Sequence, residues 1–169
     1  APTITEWVET IQAQAKELGI TAKIGVEPGR SIVAAAATTI YTVGTVKDIP
    51  GVRTYVAVDG GMSENPRPIL YGSGYEAFNP LNANSDRKKE VRVVGRHCET
   101  GDIIIENAKV DETIKVGDLL ATPVTGAYGH GMASNYNGVC RPAVIFVSNG
   151  EAKLVKRRET IEDLLSTDI

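Results

Sequence analysis

The chain is expected to be mainly β, with a short α/β opening over residues 1–37 and an antiparallel β domain over residues 38–169. Three observations predict this. Apolar residues recur at helical spacing near the start, and from about residue 38 the pattern changes to short alternating runs rich in Thr, Val, Ile and Tyr. Later, Asn149-Gly150 separates two such runs, a pairing suited to a type I′ hairpin turn.

In order, Thr3 and Glu6 suit a capping box ahead of Ile4, Trp7, Val8, Ile11, Ala15 and Leu18, so residues 3–19 read as an amphipathic helix stopped by Gly19. Residues 22–26 form a short strand candidate running into Glu27-Pro28-Gly29-Arg30, and 31–37 suit one or two helical turns. A helix, a short strand and a charged glycine loop resemble the closing unit of an α/β layer, where ligand sites sit at strand ends. Strands are expected at 38–46 and 54–58 around Pro50-Gly51, then at 91–94, 103–110 and 119–124. Between them, 62–90 is irregular and rich in Asn, Pro and Gly, a length that suggests function or disorder. Residues 144–147 and 152–155 make the hairpin, and 159–165 a closing helix. No internal repeat or low-complexity tract is present.

At 169 residues the chain is one domain-sized unit with enough length for a core. A net charge of −3 argues against a nucleic-acid partner, whose binder would be basic. The tight basic run Lys156-Arg157-Arg158 is accounted for by a solvated strand end. No apolar run approaches the roughly 20 residues of a membrane span, and no basic-then-apolar leader precedes the helix. Cys98 and Cys140 could pair, but two thiols in such a chain more often stay reduced, so a cytoplasmic location is expected. The absence of an initiator Met suggests a piece of something longer, although processing could also remove it.

Four groups of residues carry candidate chemistry. Gly95-Arg96-His97-Cys98-Glu99-Thr100-Gly101-Asp102 places a thiol, an imidazole and a carboxylate in a glycine-bounded loop between strands. Cys98 suits proton donation, since a reference thiol pKa of about 8.5 lies near neutrality, and Glu99 could orient a cation. A buried thiol beside a solvated Glu is the plainer account. In Glu27-Pro28-Gly29-Arg30, Gly lets the backbone approach a ligand and Arg can fork onto a phosphate or carboxylate; a turn with a surface ion pair explains the same residues. Arg67, between two prolines on a stiff extended segment, and Tyr71 could grip a carboxylate. Tyr128, in a second glycine-rich loop, could reach a phosphate or a ring, or simply pack. His97 and His130 stand too far apart, without suitable ligands between them, to suggest zinc. Neither Gly60-Gly61 nor Gly129-x-Gly131 matches a dinucleotide or phosphate-loop fingerprint.

Glu27-Pro28-Gly29-Arg30, Asp59-Gly60-Gly61-Met62, His97-Cys98-Glu99-x-Gly101-Asp102 and Gly126-Ala127-Tyr128-Gly129, in this order, resemble the C-terminal part of the diaminopimelate decarboxylase family. These are pyridoxal-phosphate enzymes of the alanine-racemase-like fold type. Asn135-Tyr136-Asn137 and Arg158-Glu159-Thr160-x-x-Asp163-Leu164-Leu165 are similar too. Each motif is weak alone, but the ordered set covers nearly the whole chain. Ornithine and arginine decarboxylases typically follow the cysteine with Asp, so Glu99 favours the diaminopimelate branch.

The resemblance implies that 1–37 is the last β/α piece of a (β/α)8 barrel otherwise absent here, and that 38–169 is a Greek-key-like β-barrel or sandwich. It implies decarboxylation of meso-2,6-diaminopimelate to L-lysine and carbon dioxide, in lysine biosynthesis. Glu27 would pair with the pyridinium nitrogen of pyridoxal 5′-phosphate, Gly29 would meet the phosphate, and Arg30 would lie at the cofactor and substrate. Tyr128 would contact both. Arg30, Arg67 and Tyr71 would hold the unreacting carboxylate, Glu99 the distal ammonium, and Cys98 would protonate the carbanion. Cys98 and Glu99 would reach into the partner's site of a homodimer. The Schiff-base lysine lies upstream in that family and none of the lysines here has a matching context, so the chain alone is expected to be inactive. The alternatives are a decarboxylase of another basic amino acid, or a β assembly module without chemistry.

Overall fold

The structure, a computed structural model, describes residues 2–169. Helix α1 (Ile4–Glu17) starts at the expected capping box: Thr3 Oγ1 accepts the Glu6 N–H at 3.2 Å, and Glu6 accepts the Thr3 N–H at 2.7 Å. It stops at Gly19, φ +66°, where the Gly19 and Ile20 N–H groups bond back to the Lys16 and Ala15 carbonyls in a Schellman turn. The helix buries none of its residues, and its apolar side, with Val8, Ile11 and Ala15, faces Ile20, Ile24 and Val26 across an open groove. Contrary to expectation, residues 22–26 form no strand. Their apolar pattern is that of a strand, but a strand needs a neighbour to take its N–H and C=O groups, and among the described residues none pairs with it.

Helix α2 (Arg30–Val33) and a 3₁₀ turn (Ala34–Ala36) lead into β1 (Thr38–Ile49) and β2 (Arg53–Val58). Then come β3 (Lys89–Val94), β4 (Ile103–Val110) and β5 (Leu119–Pro123), completing one sheet in the order β4-β3-β2-β1-β5. β1–β2, β1–β5 and β3–β4 are antiparallel, but β2 and β3 run parallel, with Thr54 opposite Val91 and Val56 opposite Val93. The expectation of a wholly antiparallel domain is thereby corrected. A parallel neighbour requires the chain to travel back along the sheet before re-entering it, and residues 59–88 make that return. Alternation places Thr54, Val56 and Val58 inside on β2, and Val91 and Val93 on β3, against Val43, Ile104 and Leu120. Burying side chains of this size contributes about 1.5–3 kcal/mol each.

Residues 62–90 are less irregular than expected. They contain α3 (Arg67–Tyr71) and a 3₁₀ turn (Pro80–Asn82). Arg67 is therefore helical rather than extended: Pro66, at φ −75° and ψ −4°, caps the helix, Pro68 stands in its first turn, and Gly72 ends it at φ +60°. Proline's fixed φ suits a helix start as well as an extended chain. After the sheet come α4 (Gly129–Met132), then β6 (Val144–Ser148) and β7 (Glu151–Lys156), paired as the expected hairpin. Asn149 and Gly150 both have positive φ, +52° and +80°, as a type I′ turn demands. A Thr160–Asp163 capping box opens α5 (Ile161–Leu164), a shorter helix than expected. No helix among the described residues is long and apolar enough to cross a membrane.

Candidate active site

A cleft of about 510 Å³ opens between α2, α3 and the loop after β5, lined by Arg30, Arg67, Tyr75, Glu76, Val124 and Ala127 among others. Arg67 is 8% exposed, and its guanidinium lies 4.9 Å from the Tyr71 ring centroid and 5.4 Å from that of Tyr128. The two rings offer their negative faces to the cation. Among the described residues no carboxylate lies within salt-bridge distance of Arg67. A largely buried cation without an acid is costly, and an anionic ligand in the cleft would offset that cost.

Tyr128 reaches this place through an uncommon backbone. It sits at φ +62°, and Val124, four residues earlier, at φ +64°. The left-handed region is unfavourable for both, and most of all for a β-branched residue, so the loop is held there by its surroundings. Gly126 explains part of the hold: a Cβ there would overlap the Val33 carbonyl, so only glycine lets this loop close onto α2. Gly29 is close in the same way, since its Cβ would overlap the Tyr128 hydroxyl. Gly29, Arg30, Arg67, Tyr71 and Tyr128 thus converge from three separated motifs.

Cys98 and Glu99 occupy the turn between β3 and β4, and both are exposed. The turn is anchored from beneath. Asp102, 3% exposed, accepts the His97 N–H at 2.8 Å and the Met62 N–H at 2.7 Å. Arg96 N–H donates to the Gly60 carbonyl at 2.9 Å, and His97 Nε2 meets Ser63 Oγ at 2.9 Å. Beside them Glu64 accepts from Ser63 Oγ and from the Gly61 N–H, while burial pushes its carboxyl above the usual range. Glu99 in turn accepts a short hydrogen bond from the Tyr136 hydroxyl.

The structure therefore brings together Gly29, Arg30, Arg67, Tyr71 and Tyr128, and shows no contact of Cys98 or Glu99 with them among the described residues. Neither Cys98 nor Glu99 lines the cleft, and Glu27 is exposed outside it. The two regions touch where Gly101 packs on Ile69 of α3. Of the residues that anchor the Cys98 turn, Ser63 had no place in the sequence reading, and His97 and Asp102, like Tyr136, stood within its motifs without an assigned site role. The available signal for Asp102 was the pair Gly61 and Gly95, both of which leave room for its carboxylate. Among the described residues no three His, Cys, Asp or Glu side chains gather as a metal site.

Residues 31–126 match the family described as pyridoxal-dependent decarboxylase, C-terminal sheet domain. Diaminopimelate decarboxylase of Bacillus subtilis (strain 168) is 50% identical over 163 residues, covering 96% of this chain and 37% of that protein. Among solved structures, diaminopimelate decarboxylase from M. jannaschii superposes with a TM-score of 0.87 at 32% identity, covering 99% of this chain and 38% of that one. The enzyme from Helicobacter pylori complexed with L-lysine gives 0.83 at 30% identity, with 98% and 39% covered. The chain thus spans well under half the length of the relatives it matches. With its mainly β sheet, its clustered cleft residues and this match over more than half its length, the chain belongs to the pyridoxal-dependent decarboxylases, as their C-terminal sheet domain.

Proposed function

We propose that this chain is the C-terminal part of a cytoplasmic decarboxylase that converts meso-2,6-diaminopimelate to L-lysine and carbon dioxide, working as a homodimer. The observation that carries it is Arg67, which lines the cleft, is largely buried, has no acidic partner among the described residues and is flanked by Tyr71 and Tyr128. The relatives at this similarity are named diaminopimelate decarboxylases. Residues 1–37 are read as the last β/α unit of a barrel, supported by the unpaired 22–26 segment lying against α1, and 38–169 as a Greek-key-like β domain.

The cleft fits the anionic end of pyridoxal phosphate, since Arg30 lines it and Gly29 and Tyr128 close on each other beside it. When bound, the cofactor supplies a sink for the electron pair left at the α-carbon as carbon dioxide departs. Glu27 would pair with the ring nitrogen and keep it protonated, and Gly29 and Arg30 with Tyr128 would hold the phosphate end. Arg30, Arg67 and Tyr71 bind the carboxylate that stays, which places the other carboxylate at the reacting position. Glu99 takes the distal ammonium, and Cys98 Sγ–H delivers the proton to the α-carbon and recovers one from solvent. Because Cys98 and Glu99 stand exposed outside their own chain's cleft, they serve the cleft of the partner subunit. Among the described residues no lysine lines the cleft, which supports the reading that the chain by itself does not turn over.

The test is substrate profiling of the full-length protein together with Cys98→Ala. Diaminopimelate is expected to be preferred, and the variant to lose about 10²–10⁴-fold in kcat. Preference for ornithine or arginine would reject the substrate assignment. Unchanged turnover in Cys98→Ala would reject the proton donor and favour a module without chemistry.

A further inference from the structure

Tyr136 lies in the turn after α4, and its hydroxyl bonds Glu99 Oε1. Its ring meets the His97 imidazole edge-on, with centroids 5.6 Å apart. The base of this contact is secured on several sides. Asn135 Nδ2 donates to Glu159 Oε2 at 2.6 Å and to the Val139 carbonyl at 3.0 Å. Glu159 is held by the Arg141 N–H at 2.8 Å and Nε at 2.6 Å, and the Ser134 N–H donates to the Ser63 carbonyl at 2.8 Å. Tyr136 is therefore presented from a fixed support, while Glu99 is an exposed, three-torsion side chain. Among the described residues Glu99 Oε2 takes no hydrogen bond.

We propose that Tyr136 is a positioning and specificity-determining residue, which pins Glu99 through Oε1 and leaves Oε2 for the distal ammonium of a diamino acid. The inference rests on the role given to Glu99 above. A phenol hydroxyl holds a carboxylate without neutralising it, so the charge that attracts the ammonium is kept. Pinning removes rotamer freedom that Glu99 would otherwise lose on binding substrate. It also sets the distance at which the ammonium is met. A free Glu99 could follow ammonium groups of differing reach, whereas a pinned one selects for one reach.

The experiment uses the full-length protein with Tyr136→Phe, Glu99→Gln and both. Tyr136→Phe keeps the ring against His97 and removes only the hydroxyl. It is expected to raise KM for diaminopimelate about tenfold, with the loss falling on KM rather than kcat. It is also expected to narrow the kcat/KM preference over ornithine, and to add nothing further in the Glu99→Gln background. An unchanged KM in Tyr136→Phe, with a raised one in Glu99→Gln, overturns the inference and leaves the proposed function standing. An unchanged KM in Glu99→Gln removes the role of Glu99 and the inference with it. A second readout does not depend on turnover. Ultraviolet titration of Tyr136, whose ionisation the Glu99 bond holds above the ordinary phenol range, should fall toward that range in Glu99→Gln. No movement would count against the pairing.

Discussion

Asp102 accepts the backbone N–H of His97 at 2.8 Å, one residue before Cys98. Its other oxygen takes the Met62 N–H at 2.7 Å, so one carboxylate ties the turn after β2 to the turn after β3. Asp102→Ala leaves two inward donors without an acceptor, each costing about 1–3 kcal/mol. The expected loss is about 2–6 kcal/mol in urea unfolding, with faster thiol labelling at Cys98 when Cys140 is replaced by Ser. A variant as stable as the parent would show that the clamp is dispensable.

Gly29→Ala tests the close approach to Tyr128. The added methyl overlaps the phenol oxygen, and Tyr128, already at a positive φ, must swing out of place. In the full-length protein this is expected to weaken pyridoxal phosphate binding by about tenfold or more, read by cofactor titration. Unchanged affinity would mean that the contact plays no part in holding the ligand.

Glu159 gives a pH signature. Hydrogen bonds from the Arg141 side chain and N–H, and from Asn135, hold its carboxyl down at about 2, against an ordinary 4.5. A folded value below the unfolded one means that the contribution is complete above about pH 4.5 and is lost as the pH falls toward 2. Hydrogen-exchange protection in residues 135–139, taken relative to the intrinsic amide rate at each pH, is expected to fall across that window, and Glu159→Gln to remove the dependence. A flat profile in the parent chain would contradict it.

Limited proteolysis addresses the opening segment. Helix α1 buries none of its residues, and residues 20–28 are exposed. Trypsin is expected to cut at Lys16 and Lys23 before it reaches the sheet, releasing the half-exposed Trp7 and its fluorescence with the short peptide. First cuts at Lys47 or Lys109 would show that the sheet opens before the segment ahead of it.

Much of the fold was legible because alternation and turn chemistry are local. The Thr3–Glu6 box, Gly19 and Asn149-Gly150 each act where the sequence places them. Strand direction was not legible, since Val91 and Val93 alternate identically whether β3 runs with β2 or against it. Residues 22–26 carry the pattern of a strand, but pairing depends on a neighbour that a pattern does not supply. Arg67 was misplaced on an extended segment because its prolines suit either conformation. At the site, the family resemblance is borne out, and the clustering of Arg67 with Tyr71 and Tyr128 is visible. Asp102, in contrast, works through backbone donors, and an N–H looks the same at every residue.

The parallel pairing of β2 with β3 bears on how this domain could be shortened. Re-entering the sheet at the same end requires a return of about 20 Å, which roughly six extended residues could span. Residues 59–88 are several times that length, so topology demands only a small share of them. Loop-trimming variants should thus separate two properties: removing 83–87 ought to spare both folding and ligand capture, whereas excising α3 would leave a sheet that still assembles but has lost its grip on anions.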